Sequence, residues 1–312
     1  MSDRDSFNKL RIEMMDLYEA GDFTAARELV QANQKAFPDM MARITFWKIC
    51  LFSLEGSMDE ALTTFRDGLD DGFWWAKSQF DDTDLDPIRE LPEFKTLVVE
   101  SAQRWEQERK NIDPEHVLII PEVPRSDAYP LLIALHGRNG NKESDLEYWE
   151  VAKHNGWAIL SPQSTQPLFP GSYCWDDPLR GIQDILFHLE RTLNAYEIDR
   201  EHIIIGGFSQ GSGMAIYTAL QSDIPARGFI GIGTWWPETD SIAALAKSQE
   251  QIRGYFVTGN RDHALERAKE IQSVLSANNI AIEEEVHTDL GHEFPADFEK
   301  SFTQAVDFIF SE

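Results

Sequence analysis

Two regimes of hydrophobic patterning meet near residue 110. Before it, apolar residues recur at helical spacing; after it, short continuous apolar runs alternate with amphipathic stretches. The runs Val117–Ile120, Leu131–His136, Ala158–Ser161, His202–Gly206, Gly228–Ile232, Gly254–Val257 and Ala281–Val286 read as strands. Pro178–Asn194, Gln210–Gln221, Ala264–Ala277 and Pro295–Phe310 read as helices. Such alternation over roughly 200 residues predicts an α/β fold, a mostly parallel sheet covered on both faces. Its chemistry belongs at the carboxyl ends of the strands. At the seam, Asn111-Ile112-Asp113-Pro114-Glu115, proline disfavours helix at the residue before it. The expected domains are an all-α part, residues 1–110, and a sheet part, residues 111–312.

The helical part contains a repeat. Leu17-Tyr18-Glu19-Ala20-Gly21-Asp22-Phe23-Thr24-Ala25-Ala26 returns in outline as Phe52-Ser53-Leu54-Glu55-Gly56-Ser57-Met58-Asp59-Glu60-Ala61, 35 residues on. Each unit predicts helix, glycine turn, helix. The glycine takes the left-handed conformation that ends the first helix, and the alanine lets the second pack closely. With Pro38 closing the first unit, the pattern resembles the tetratricopeptide repeat, although the second unit lacks that proline. Two units are too few to stand alone, so Gly72–Glu108 must cap the stack, or the stack must lean on the second domain. Within that segment Asp82, Asp84, Asp86 and Glu93 fall at calcium-loop positions one, three, five and twelve. Pro87, however, stands where the sixth position needs glycine. A solvated loop leading into a helix from Pro87 is the better reading. Trp74, Trp75 and Phe80 are read as packing of the cap.

Charge narrows the partners. The 54 acids and 28 bases leave a net charge of −26, which repels phosphate backbones and anionic lipid heads. No apolar run reaches the roughly 18 residues of a membrane helix, and the start, Met1-Ser2-Asp3-Arg4-Asp5, is not a secretory signal. Cys50 and Cys174 make neither a disulfide framework nor a zinc site. The expectation is a cytoplasmic protein with reduced thiols, no metal and no cofactor.

The most informative string follows the apolar run Ile203-Ile204-Ile205-Gly206. Gly207-Phe208-Ser209-Gln210-Gly211 has the Gly-x-Ser-x-Gly pattern of a nucleophile elbow, with a strand before it and a helix after. The turn leaves little room for a Cβ at its flanks and exposes the serine hydroxyl. Gln210 opens the helix with its N–H beside the place where an oxyanion would form. A phosphate loop would need lysine and Ser/Thr after Gly211, and a dinucleotide fingerprint a small residue where Ile216 stands.

Such a serine needs a base and an orienting acid, in the order Ser, Asp, His. Of His263, His287 and His292, only His292 lies in a loop just before the last helix. For the acid, Asp262 follows the strand Tyr255-Phe256-Val257 and is preferred to Asp289, which sits within the histidine's own loop. The second oxyanion donor should come from the loop after Leu131–Leu135.

Leu135-His136-Gly137, Gly207-Phe208-Ser209-Gln210-Gly211, Gly259 to Asp262 and Gly291-His292-Glu293 together resemble the phospholipase/carboxylesterase family of α/β-hydrolases, which includes acyl-protein thioesterases. The likeness spans residues 116–312. Trp235-Trp236-Pro237 is similar to that family's Trp-Leu-Pro stretch, and the resemblance implies Arg138 and Gln210 as the oxyanion-hole residues. The chain departs from the family's His-Gly-x-Gly-Asp with Asn139-Gly140, and from its Gly-Gly with Gly211-Ser212-Gly213. Trp175, Trp235 and Trp236 are read equally as walls of a substrate pocket or as core.

The expected activity is hydrolysis of a small ester, thioester or other acyl substrate through an acyl-enzyme. Ser209 is the nucleophile, His292 the base and Asp262 the orienter. A peptidase on the same fold and a protein-interaction adaptor are the alternatives. The helical part is left for a protein partner or a second copy of the chain.

Overall fold

The computed structural model describes residues 3–122, 128–247, 249 and 251–311; Met1 and Ser2, read above as part of a non-signal start, lie outside them. The chain divides into two compact units. The first holds the residues up to Ile112 together with Pro167–Ser172, and the second holds Asp113–Gln166 and Tyr173 onward.

The first unit is built from helices α1 (Asp3–Glu19), α2 (Phe23–Asn33), α3 (Met41–Glu55), α4 (Met58–Asp70), the single turn α5 (Asp86–Arg89) and α6 (Pro92–Glu108). Both repeat turns are left-handed, with φ of 74° at Gly21 and 79° at Gly56, and the alanines that follow, Ala26 and Ala61, are wholly buried. Gly56 closes α3 by donating its N–H to Ser53 O, while Ser57 N reaches Phe52 O. The segment after α4 completes the core. Trp75 lies edge-on to Phe65, its indole N–H donates to Ala42 O (3.2 Å), and its backbone exchanges hydrogen bonds with the Ser101 hydroxyl of α6 (2.7 and 3.0 Å). Phe80 stacks on Phe65. Trp74 is likewise buried. Three of the four calcium-loop acids have partners elsewhere: Asp86 pairs with Arg89, Glu93 with Arg66, and Asp84 accepts the Tyr18 hydroxyl (2.7 Å).

Residues 167–172, which sequence reading gives to the sheet domain, belong to this helical unit. Pro167 O accepts the Trp105 indole N–H (2.7 Å), and Leu168 O accepts Ala76 N–H (2.6 Å). The Arg43 guanidinium lies over Phe169 (5.8 Å), and Gly171 turns the tip at φ 74°. Leu168 and Phe169 are 1% and 4% exposed.

Beyond Ile112 the chain follows the order β1 (His116–Ile119), β2 (Tyr129–Leu135), α7 (Leu146–His154), β3 (Ala158–Pro162), β4 (Pro167–Phe169), β5 (Ser172–Tyr173), α8 (Pro178–Ala195), β6 (Ile198–Phe208), α9 (Gln210–Ala219), β7 (Gly228–Ile232), α10 (Asp240–Ala246), β8 (Arg253–Gly259), α11 (Leu265–Ala277), β9 (Ala281–His287) and α12 (Phe298–Ile309). Strands β4 and β5 form the small hairpin whose tip sits in the first unit. The other seven make one sheet in the order β1-β3-β2-β6-β7-β8-β9, parallel except for β1.

The period of two explains how both faces are covered. Leu131, Ile133 and Leu135 join Met214 of α9, Ile185 of α8 and Ile271 of α11 on one face. Leu132 and Ala134 join Trp149 of α7 and Phe298 and Phe302 of α12 on the other. At one end of the sheet, β9 carries three successive acids, Glu283-Glu284-Glu285, and a largely exposed Val286. Cys50 and Cys174 are free and buried, and among the described residues no helix is long and apolar enough to cross a membrane.

Candidate active site

The singled-out side chains gather on loops at the carboxyl ends of β2, β6, β7, β8 and β9. Strand β6 ends at Phe208 and α9 starts at Gln210, so Ser209 alone makes the turn. Its backbone stands at φ 54°, ψ −121°, a strained region for a residue with a side chain, costing on the order of 1–3 kcal/mol. Hydrogen bonds hold it there: Ser209 N–H donates to Ile232 O (2.9 Å), and Ser209 O accepts from Ser212 N (3.0 Å) and Trp235 N (3.2 Å). The flanking glycines are a steric necessity. A Cβ on Gly207 would stand 2.2 Å from Gly211 O, and one on Gly211 would stand 2.4 Å from His136 O.

His292, on the loop after β9, has its Nδ1 2.8 Å from Asp262 Oδ1. Asp262 is buried, and the same oxygen accepts Ala264 N–H (2.7 Å), which holds the carboxylate in place. Gly233, at φ 52°, keeps the space beneath them clear: a Cβ there would lie 3.0 Å from both Asp262 Oδ2 and His292 Nδ1. The His292 ring packs against Phe208 (4.8 Å between ring centres) and His263 (4.3 Å), so His263 touches the imidazole while staying largely exposed. Asp289 faces elsewhere and pairs with Arg261 at 2.5 Å. His287 lies beside Glu285.

The loop after β2 runs close to the serine; a Cβ on Gly137 would come 3.5 Å from Ser209 Cβ. Asn139 takes a left-handed conformation (φ 65°), one that asparagine tolerates better than most residues. Two bonds pair the loop with the returning hairpin strand: Asn139 N to Tyr173 O and Tyr173 N to Gly140 O, each 2.9 Å. His136 is enclosed beneath it. Its Nδ1–H donates to Gly137 O (2.9 Å), which leaves Nε2 to accept Ser164 N–H (3.3 Å). Burial pushes its pKa down to about 4, so the imidazole is neutral at pH 7.

The side chains of Arg138 and Gln210 converge on Asp176, a residue that sequence reasoning missed. Gln210 Nε2 donates to Asp176 Oδ1 (2.7 Å), and the Arg138 guanidinium pairs with the same oxygen. Gln210 Oε1 accepts Trp175 N–H (3.0 Å). The only sequence signal at Asp176-Asp177-Pro178 is a helix start, and Asp177 does cap α8 through Leu179 N and Arg180 N.

Of the three tryptophans, Trp175 and Trp236 are fully enclosed in the sheet core, and Trp235 is partly exposed beside Ser209. Trp175 also stacks on His136 and donates its indole N–H to His136 O (2.8 Å).

Comparison with known proteins bears on both units. Residues 6–109 match a family model described as an A/B hydrolase-like N-terminal domain, and residues 180–310 match the phospholipase/carboxylesterase model. Acyl-protein thioesterase 1 of Mycosarcoma maydis is 36% identical over 73 residues, 23% of this chain and only 30% of that protein's length. An uncharacterized protein of Bacillus cereus ATCC 10987 has a similar structure with a TM-score of 0.55 and 28% identity, over 97% of this chain and 98% of its own. The Bacillus cereus carboxylesterase follows at a TM-score of 0.50 and 19% identity, over 66% of this chain and 99% of its own, a likeness of fold. The stretch that matches the phospholipase/carboxylesterase model, residues 180–310, contains the elbow serine, Asp262 and His292.

Proposed function

We propose that this chain hydrolyses carboxylic esters or thioesters through an acyl-enzyme on Ser209. The observation that carries the reading is the 2.8 Å bond between His292 Nδ1 and buried Asp262, on loops beside a strained serine turn. The likeness to an acyl-protein thioesterase supports including thioesters.

In this reading the Ser209 hydroxyl attacks the substrate carbonyl while His292 Nε2 takes its proton. Asp262 accepts Nδ1–H, fixes the tautomer and stabilises the imidazolium. The backbone N–H groups of Arg138 and Gln210 receive the developing oxyanion; donors fixed before the reaction spare the cost of reorganising solvent around that charge. The tetrahedral intermediate collapses, and the leaving alcohol or thiol departs with the proton from His292. Water then repeats the sequence on the acyl-enzyme, releasing the acid and restoring Ser209.

A fluorophosphonate probe should label Ser209. Ser209→Ala should abolish labelling and lower ester turnover by about a million-fold, the scale seen when a triad serine is lost. Labelling that persists in the alanine variant would remove the basis of the reading.

A further inference from the structure

Arg138 and Gln210 sit on separate elements, the loop after β2 and the first turn of α9, yet their side chains end on one atom, Asp176 Oδ1. The Gln210 carboxamide is enclosed and engaged at both ends. Its oxygen takes Trp175 N–H and its nitrogen gives to Asp176, which leaves a single orientation open to it. The segment Tyr173–Asp176 is bound to the other element as well. Tyr173 exchanges backbone bonds with Asn139 and Gly140, and the Trp175 indole N–H reaches His136 O. One stretch of four residues therefore joins the loop after β2 to the head of α9.

We propose that Asp176 is a positioning residue that sets the spacing between the two oxyanion donors. The inference rests on the hydrolase reading above and on the assignment of Arg138 and Gln210 to the oxyanion hole. An ion pair open to water contributes little stability, so the value of this one lies in geometry. Removing the carboxylate leaves the Gln210 amine without its acceptor and frees the Arg138 side chain. The two backbone N–H groups then lose their fixed separation. Only the transition state carries the oxyanion, so the loss appears in kcat and spares substrate binding.

The experiment uses the full chain with Asp176→Ala and Asp176→Asn. The first readout is kcat and KM on a short p-nitrophenyl ester. The second is inhibition by an alkyl trifluoromethyl ketone, which adds Ser209 to form an oxyanion, compared with the matching secondary alcohol, which cannot. Losing a whole oxyanion donor costs about 10²–10³-fold, so loosening two should cost roughly 10–100-fold. Asp176→Ala should lower kcat by that factor with KM within about twofold, and should weaken the ketone by the same factor while the alcohol binds as before. Asp176→Asn keeps an acceptor for Gln210 and should fall between alanine and wild type. The asparagine variant also covers the case in which alanine disturbs folding, checked by thermal melting.

Unchanged kcat and ketone affinity in both variants would overturn the proposal, as would equal weakening of ketone and alcohol, the mark of general structural damage. A wild type that neither turns over esters nor binds the ketone would overturn the hydrolase reading itself, and this proposal with it.

Discussion

The hairpin tip at residues 167–172 makes a truncation at the Ile112 seam an instructive perturbation. Removing the helices strips Leu168 and Phe169 of their surroundings and deletes the partners of two hydrogen bonds, Ala76 N–H and the Trp105 indole. Burying a leucine or phenylalanine side chain is worth about 1.5–3 kcal/mol each, and each hydrogen bond about 1 kcal/mol. The lost stabilisation is therefore on the order of 5–8 kcal/mol, comparable with the net stability of a whole domain. A second variant isolates the cause. Gln166 O accepts Cys174 N–H at 3.0 Å, so the base of the hairpin is already closed and a short Gly/Asn turn can replace residues 167–172. Simple truncation should give aggregated protein on size exclusion. Truncation with the replaced turn should be soluble and keep turnover of p-nitrophenyl acetate within about tenfold of the full chain, because the elbow and the Asp262–His292 pair lie wholly in the sheet unit. If simple truncation proves as soluble and as active as the turn-replaced form, the helical unit does not shelter the hairpin, and the estimate fails with it.

Asp262→Asn should reduce kcat by about 10⁴ with the fold intact, because the wrong imidazole tautomer is held; Asp289→Asn, whose side chain pairs with Arg261, should stay within twofold in the same ester assay. His136 should tie stability to acid. Its folded pKa of about 4 lies below the ordinary value of 6.5, so protons favour the unfolded chain as pH falls from 6.5 to 4. The contribution is complete above pH 6.5 and declines by about 1.4 kcal/mol per pH unit, about 3 kcal/mol in all. An NMR titration that finds His136 protonated at pH 6 would refute it. His188→Leu should raise the melting temperature, since both ring nitrogens are buried without a hydrogen-bond partner and such groups cost about 1–3 kcal/mol; a lower melting temperature would count against this.

The sheet strands were legible wherever an apolar run was continuous. Gly228–Ile232 appears in the structure with the limits its pattern predicts, and the run read as Leu131–His136 forms a strand over Tyr129–Leu135. Helix α7 was not legible, because in nine residues only Trp149 and Ala152 are buried, too few to show a period. The hairpin β4–β5 was missed for another reason: Pro167, Pro170 and Gly171 punctuate strands of three and two residues, and their pattern reads as loop. Its place among the helices depends on Trp105 and Ala76, far away in sequence, and no local pattern encodes that. At the site, the glycine spacing and the order of Ser209, Asp262 and His292 pointed to residues that the fold brings to one end of the sheet. Asp176 was invisible because its partners come from two other elements, and a lone acid before a helix carries the signature of a cap.

Strand β9 bears on how copies of this protein meet each other. A terminal strand offers a free row of backbone N–H and C=O groups, which is a template for another strand. Here the row runs alongside Glu283, Glu284 and Glu285, with apolar Val286 exposed next to them. Two such edges brought together would stack carboxylate against carboxylate before any ladder formed. Part of the chain's acidic surplus is thus placed where it keeps the sheet from growing between molecules, and salt, which screens exposed charge, is the condition that weakens that guard.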